Sequence, residues 1–161
     1  MGSTCFVENH TEIKLNPVAI VRNEIAETGL RDSSETISDI IVNHQFSDAL
    51  DGLGQFSHMI IIFWMHKSPA WDTSMSKTHP QRRTDLPLVG IFATRSPVRP
   101  NPIGVTVVEL LGRKDNILTV KGLDTVDNTP VLDIKPYFPP KHDEQIKVPD
   151  WVNKLNRMTR H

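Results

Sequence analysis

The sequence predicts a mainly β fold: a compact antiparallel β-barrel with long loops and one or two short helices, spanning residues 1–161 as one domain. Three observations carry this prediction. Six or seven short segments rich in β-branched and aromatic residues alternate with turn-forming residues. Helical periodicity is scarce, and no internal repeat or low-complexity tract occurs. The length of 161 residues, with 38 % hydrophobic and 23 % charged side chains, supports a core of one globular domain without disulfides or a structural metal. Closing several short antiparallel strands into a barrel removes their unpaired edges, which is why this pattern favours a barrel over an open sheet.

Taken in order, residues 1–15 form a polar N-terminal arm, and Val-Ala-Ile-Val at 18–21 follows a proline and reads as the first strand. Residues 23–38 are polar, contain Gly29 and lack an apolar stripe, so they read as a loop or arm. A second strand is expected at 39–42. Residues 46–53 suit one or two helical turns before Gly52 and Gly54 break them. The run Met-Ile-Ile-Ile-Phe-Trp-Met at 59–65 is continuously apolar, which suits a strand buried on both faces. Residues 67–87 are polar and proline-punctuated, a length at which a compact domain carries either a functional loop or a disordered one. Strand-like stretches follow at 88–94, 104–111 and 116–122, the last two joined by a hairpin turn over 112–116. The final strand is expected at 131–137. Pro149-Asp150 then opens a short helix over about 150–158, with apolar residues at 151, 152, 155 and 158.

Charge and cysteine content exclude several classes. Net charge is −1, which does not suit a uniformly basic nucleic-acid coat protein. The average conceals an asymmetry: residues 1–60 hold 3 basic and 9 acidic side chains, residues 61–121 hold 9 and 4, and residues 122–161 hold 6 of each. If the middle third folds to one side, it offers a basic face to an anionic partner; otherwise the thirds neutralise one another across the fold. The lone Cys5 has no intrachain partner, and no CxxC pair offers zinc or redox chemistry. The acidic start does not suit a signal peptide, and the longest apolar run of seven residues is too short to span a bilayer. Cytoplasmic residence is the expectation.

Three segments carry candidate chemistry. In Gly90-Ile-Phe-Ala-Thr-Arg-Ser-Pro-Val-Arg-Pro-Asn-Pro-Ile-Gly104, prolines at 97, 100 and 102 restrict the backbone and present Arg95, Ser96, Arg99 and Asn101 at little entropic cost. Two guanidiniums on such a loop suit carboxylate or phosphate oxygens; the plainer reading is a structural turn with solvated arginines. In the segment from Gly122 to Tyr137, Asp127-Asn128-Thr129-Pro130 is a turn by its chemistry, with Asp124 and Asp133 nearby. The aspartate spacing is weak as a metal signal, and no metal is expected. In the third, His58 and His66 flank the apolar run. Together with His79 and the aspartates they would serve a metal-dependent hydrolase, the more remote reading.

DGLGQFSHMIIIFWMH, GIFATRSPVRPNPIGVTVVEL and LDTVDNTPVLDIKPYFP, in that order, resemble the three signature blocks of the TrmO (YaeB/TsaA-like) family of tRNA methyltransferases. The likeness runs from about residue 16 to residue 140. It implies a TsaA-like β-barrel that dimerises, lies on no membrane and binds S-adenosylmethionine without a Rossmann-type glycine loop. The implied reaction is N6-methylation of threonylcarbamoyl-adenosine next to the anticodon of threonine tRNA. The resemblance assigns the cofactor to His66, Lys67, Arg95, Val107, Asp127, Asn128, Thr129 and Pro130. For such a substrate the chemistry of the residues themselves points to Arg99 and Asn101 of the proline-rich loop, with Tyr137 or Trp71 as a stacking ring and Asp124 or Asp127 as the candidate base. Residues 23–38 depart from the family's proline-glycine arm, and the sequence is expected to be a short form lacking the C-terminal domain of longer members. The alternative is a non-catalytic S-adenosylmethionine- or RNA-binding protein of the same fold.

Overall fold

The computed structural model describes residues 13–27, 32–139 and 146–152. Eight strands occur among them: β1 (Ala19–Arg22), β2 (Ile37–Val42), β3 (His58–Trp64), β4 (Lys77–Thr78), β5 (Val89–Gly90), β6 (Ile103–Lys114), β7 (Ile117–Lys121) and β8 (Pro130–Pro136). Six of them close a barrel in the order β1-β2-β7-β6-β3-β8, with β8 returning to β1 through Ala19–Val131 and Ile20–Pro130. Every pairing is antiparallel. The predicted barrel is therefore the observed fold, and the remaining pair, β4 with β5, forms a separate ribbon.

The core is the inside of the barrel, filled by Val21, Ile40, Met59, Ile61, Leu118, Val120 and Val131, all without solvent contact. Side chains alternate across each strand, so the inward set repeats every second residue. In β3 this corrects the expectation of burial on both faces: Met59, Ile61 and Phe63 point into the core, whereas Ile60, Ile62 and Trp64 are only half-buried. The outward residues are apolar too, which is why composition alone suggested two covered faces.

Other boundaries moved for local reasons. The second strand starts at Ile37 rather than at 39, because Ser38 turns inward and its Oγ accepts a hydrogen bond from Asn23 Nδ2 at 3.0 Å. The 46–53 segment forms two 3-10 turns, His44–Leu50 and Leu53–Gln55; Asn43 caps the first, and Gly52, at φ 82°, separates them. Residues 88–94 are not one strand. Only Val89–Gly90 pairs, and a 3-10 turn at Ile91–Ala93 follows, closed by Thr94, whose N–H and hydroxyl both donate to Ile91 O. The expected turn over 112–116 shrinks to Asp115-Asn116, since Gly112 lies within β6 at a bulge opposite Thr119. Asp115 takes the left-handed conformation, and the buried Asn116 donates from Nδ2 to Val42 O at 2.6 Å. Asp150 to Val152 begin the expected C-terminal helix; the rest of it, and residues 1–12 of the arm, lie outside the described residues.

One close contact marks the β3–β6 pairing. Phe63 stands opposite Gly104, and a Cβ added at Gly104 would lie 2.2 Å from the Phe63 ring. The aromatic side chain covers the space the glycine leaves.

Candidate functional site

A cleft of about 1020 Å³ opens where β3 ends. Four stretches wall it: Phe63, Met65, His66, Lys67 and Ser68 at the end of β3; residues 74–75 and 77–82 around β4; Ile91, Ala93, Thr94, Arg95, Ser96, Pro97 and Val98 of the proline-rich loop; and Asp124, Thr125, Val126 and Thr129 before β8. Backbone bonds bring these together. Met65 N–H donates to Pro102 O at 2.7 Å, tying the end of β3 to the end of the proline-rich loop. Ile91 N–H donates to Ser76 O at 2.9 Å and extends the β4–β5 ribbon along the cleft.

The proline-rich loop is held by its own polar groups as well as by its prolines. Arg99 Nε donates to Ser96 O at 2.8 Å and Nη2 to Thr94 O at 2.6 Å. Ser96 N–H reaches Thr94 Oγ1 at 3.2 Å, and Val98 N–H reaches Ser96 Oγ at 3.3 Å. This clamp leaves Arg95 exposed on the cleft while Arg99 folds back on its own loop.

The turn before β8 is anchored from behind. Asp127 Oδ1 accepts from Asn23 N–H at 3.2 Å, and Asp127 N–H donates to Ile25 O at 2.7 Å. Asn128, at φ 62°, donates its N–H to Val21 O, while Arg22 bonds the Asn128 side chain and stands 3.5 Å from Asp127. The buried Thr129 donates from Oγ1 to Val126 O at 2.7 Å. Lys67 Nζ donates to Ala26 O at 2.6 Å, so residues 23–27 run beside the cleft.

The structure thus gathers His66, Lys67, Arg95, Asp124 and Thr129 on one cleft. Asp127, Asn128 and Pro130 belong to the same turn without lining it. Arg99 and Asn101 lie in the proline-rich loop beyond the lining residues. Val107 sits on the outer face of β6, opposite Ile60 and 45 % exposed. Tyr137 is at the far end of β3: its N–H donates to His58 O and its ring lies 6.5 Å from the His58 ring, about 20 Å from the cleft by strand rise. Among the described residues, no group of three or more His, Cys, Asp or Glu is arranged to hold a metal, and no helix is long and apolar enough to cross a membrane.

Charge at the cleft is one-sided. Among the described residues, Lys67, Lys77, Arg82 and Arg95 line it with His66 and His79, against the single carboxylate of Asp124. Two acids of the segment between β3 and β6 are occupied locally. Hydrogen bonds from Ser74 hold the Asp72 carboxyl below its ordinary range, and the Arg83 guanidinium, 2.6 Å away, does the same for Asp85. A second cavity of about 430 Å³, lined by Phe46, Leu50, Phe56 and Trp151 among others, contains Asp51 and Asp133 and, among the described residues, no cationic side chain.

Comparison with known proteins matches residues 27–144 to the model of the tRNA-methyltransferase O N-terminal domain. The chain belongs to this family. A relative from Methanothermobacter thermautotrophicus, named a probable S-adenosyl-L-methionine-binding protein, is 39 % identical over 132 residues, covering 79 % of this chain and 91 % of the relative. The tRNA (adenine(37)-N6)-methyltransferase of Escherichia coli is 40 % identical over 119 residues, covering 70 % of this chain and 49 % of that one. The crystal structure of TrmO from Pseudomonas aeruginosa superposes with a TM-score of 0.63 at 32 % identity, covering 80 % of this chain and 57 % of that one. The chain therefore spans nearly all of the first relative and about half of the other two. Within this tRNA-methyltransferase O N-terminal domain, Lys77, Thr78, His79 and Arg82 are lining residues that sequence reasoning did not assign to the cofactor or substrate. Their one signal was the surplus of basic residues in the long polar stretch after β3.

Proposed function

We propose that the chain is an S-adenosylmethionine-dependent tRNA methyltransferase, cytoplasmic, acting on N6 of threonylcarbamoyl-adenosine beside the anticodon of threonine tRNA. The observation that carries the reading is the convergence of the three signature segments on one cleft whose floor is apolar and whose rim is cationic. These residues fit the cofactor by donor chemistry. Arg95 and Lys67 suit its carboxylate, Met65, Ile91 and Val98 suit the flat adenine, and Asp124 and Thr129 before β8 put polar residues on the same cleft. When bound, the cofactor supplies a methyl group already activated by the sulfonium, so the chain's task is alignment and removal of a proton.

Lys77 and Arg82 on the rim suit RNA phosphates, in keeping with the basic middle third of the sequence. Val105 and Val107, both exposed, stand opposite Ile62 and Ile60 on the outer barrel face, an apolar patch suited to a homodimer that would bring Val107 into the interface. The alternative, a binding protein without catalysis, is favoured by the names of several relatives, which state only S-adenosyl-L-methionine binding.

Incubation with labelled cofactor and threonine tRNA, followed by digestion to nucleosides, decides between them. Label on the N6-methylated nucleoside is expected; calorimetric cofactor binding without label on any nucleoside would leave the binding protein. In the same calorimetry, Arg95→Ala is expected to abolish cofactor binding, and unchanged affinity would remove Arg95 from the site.

A further inference from the structure

We infer that His79 takes the proton released from the acceptor nitrogen during methyl transfer, an assignment that rests on the transferase reading above. His79 Nδ1 lies 2.7 Å from Leu86 O. A carbonyl oxygen only accepts, so Nδ1 carries the hydrogen and Nε2 of the neutral ring is the bare nitrogen. His79 lines the cleft and Leu86 does not; with Nδ1 engaged by Leu86 O, Nε2 is the ring nitrogen left for a ligand of the cleft. A carboxylate or carbonyl that fixes the tautomer of an imidazole is the usual device for orienting a histidine base.

The backbone beside it is strained in the same sense. Gln81 and Arg82 both adopt left-handed conformations, at φ 52° and 60°, which cost non-glycine residues free energy. They allow Arg82 N–H to return to His79 O at 3.0 Å, and Arg83 N–H to Pro80 O at 3.0 Å. The chain thus turns sharply just after His79 and closes a ring of bonds around it, at a position that contributes nothing to the barrel core.

The other titratable and charged groups facing this space are His66, Lys67, Lys77, Arg82, Arg95 and Asp124. Lysine and arginine arrive protonated, and a carboxylate is an intrinsically weaker base than imidazole. His66 lies among the residues that the family resemblance gives to the cofactor. In the step itself the acceptor nitrogen bonds to the methyl carbon as that carbon's bond to sulfur breaks, with the bonding pair leaving on sulfur. The positive charge passes to nitrogen, whose N–H proton moves to His79 Nε2. The products are a neutral thioether, a neutral methylated nitrogen and an imidazolium, whose Nδ1–H stays bonded to Leu86 O.

Two measurements test this. His79→Asn keeps an amide donor for Leu86 O but has no basic nitrogen. It is expected to lower the single-turnover rate about 100-fold or more, with cofactor affinity unchanged by calorimetry. Long-range proton–nitrogen spectra of the free wild-type protein are expected to show His79 as the Nδ1–H tautomer, a readout independent of activity. A His79→Asn rate within threefold of wild type, an Nε2–H tautomer, or a loss confined to cofactor affinity would each overturn the assignment while leaving the transferase reading in place. A wild-type protein that methylates no nucleoside would end both.

Discussion

The barrel wall buries Val21, Ile40, Met59, Ile61 and Leu118 completely, whereas in the excursion from residue 65 to residue 102, between β3 and β6, only Ile91 is buried. The excursion is nonetheless folded. Its shape is kept by side chains bonding nearby backbone: His79 to Leu86 O, Arg99 to Thr94 O and Ser96 O, Thr94 to Ile91 O, and Ser74 N–H to Asp72. Apolar burial gives a non-directional, cooperative stability, while local polar bonds in water are each worth little net and hold direction more than energy. The division follows function: a rigid barrel supplies the fold's free energy, and a segment of low local stability supplies the presented groups.

That division makes the largest expected effect a core one. Ile61→Ala removes a side chain with no solvent exposure at the centre of β3 and should cost about 4 kcal/mol in chemical denaturation, lowering the whole transition cooperatively. A loss below about 1 kcal/mol would mean that the barrel is not the source of stability.

Next is Gly104→Ala, at the join between the two regions. The added Cβ meets the Phe63 ring at 2.2 Å, and Phe63 is itself buried, so the ring has little room to withdraw. Overpacking of this kind costs about 2 kcal/mol. The double variant with Phe63→Leu should recover most of it. No recovery would show that the β3–β6 register, rather than the ring, is what the glycine serves.

The barrel was legible because its strands carry the residues a core takes: the strand read at 18–21 is observed as Ala19–Arg22, and that read at 131–137 as Pro130–Pro136. What misled was apolar sequence outside the core. Ile60 and Ile62 resemble inward residues but face out, and Leu88 and Phe92 suggested a strand at 88–94 yet are 55 % and 82 % exposed. Composition reports affinity for the interior, not the side of a strand on which a residue falls. In the cleft, His66, Lys67, Arg95, Asp124 and Thr129 lie in or beside recognisable blocks, whereas Lys77 sits in β4, in a ladder of two residues per strand, and His79 and Arg82 in the 3-10 turn after it, neither of which has a periodicity to detect.

The smallest effect separates two roles for Arg99. The sequence assigned it to substrate, and the structure engages its Nε and Nη2 with Ser96 O and Thr94 O. Lysine at this position keeps the charge but cannot span both carbonyls with a planar fork. If the clamp is what matters, Arg99→Lys should loosen the presentation of Arg95 and weaken cofactor binding about tenfold, equivalent to about 1.4 kcal/mol, while the melting temperature of the barrel barely moves, because Arg99 bonds only the carbonyls of Thr94 and Ser96, neither of them in the barrel. If Arg99 also reaches the substrate through its remaining N–H groups, the same variant should raise KM for tRNA with cofactor affinity intact. Calorimetry and steady-state kinetics on one variant therefore assign the residue to the loop or to the RNA. An unchanged value of both, with an unchanged melting temperature, would show that the proline backbone alone holds the loop and that the excursion needs less polar clamping than its bonds suggest.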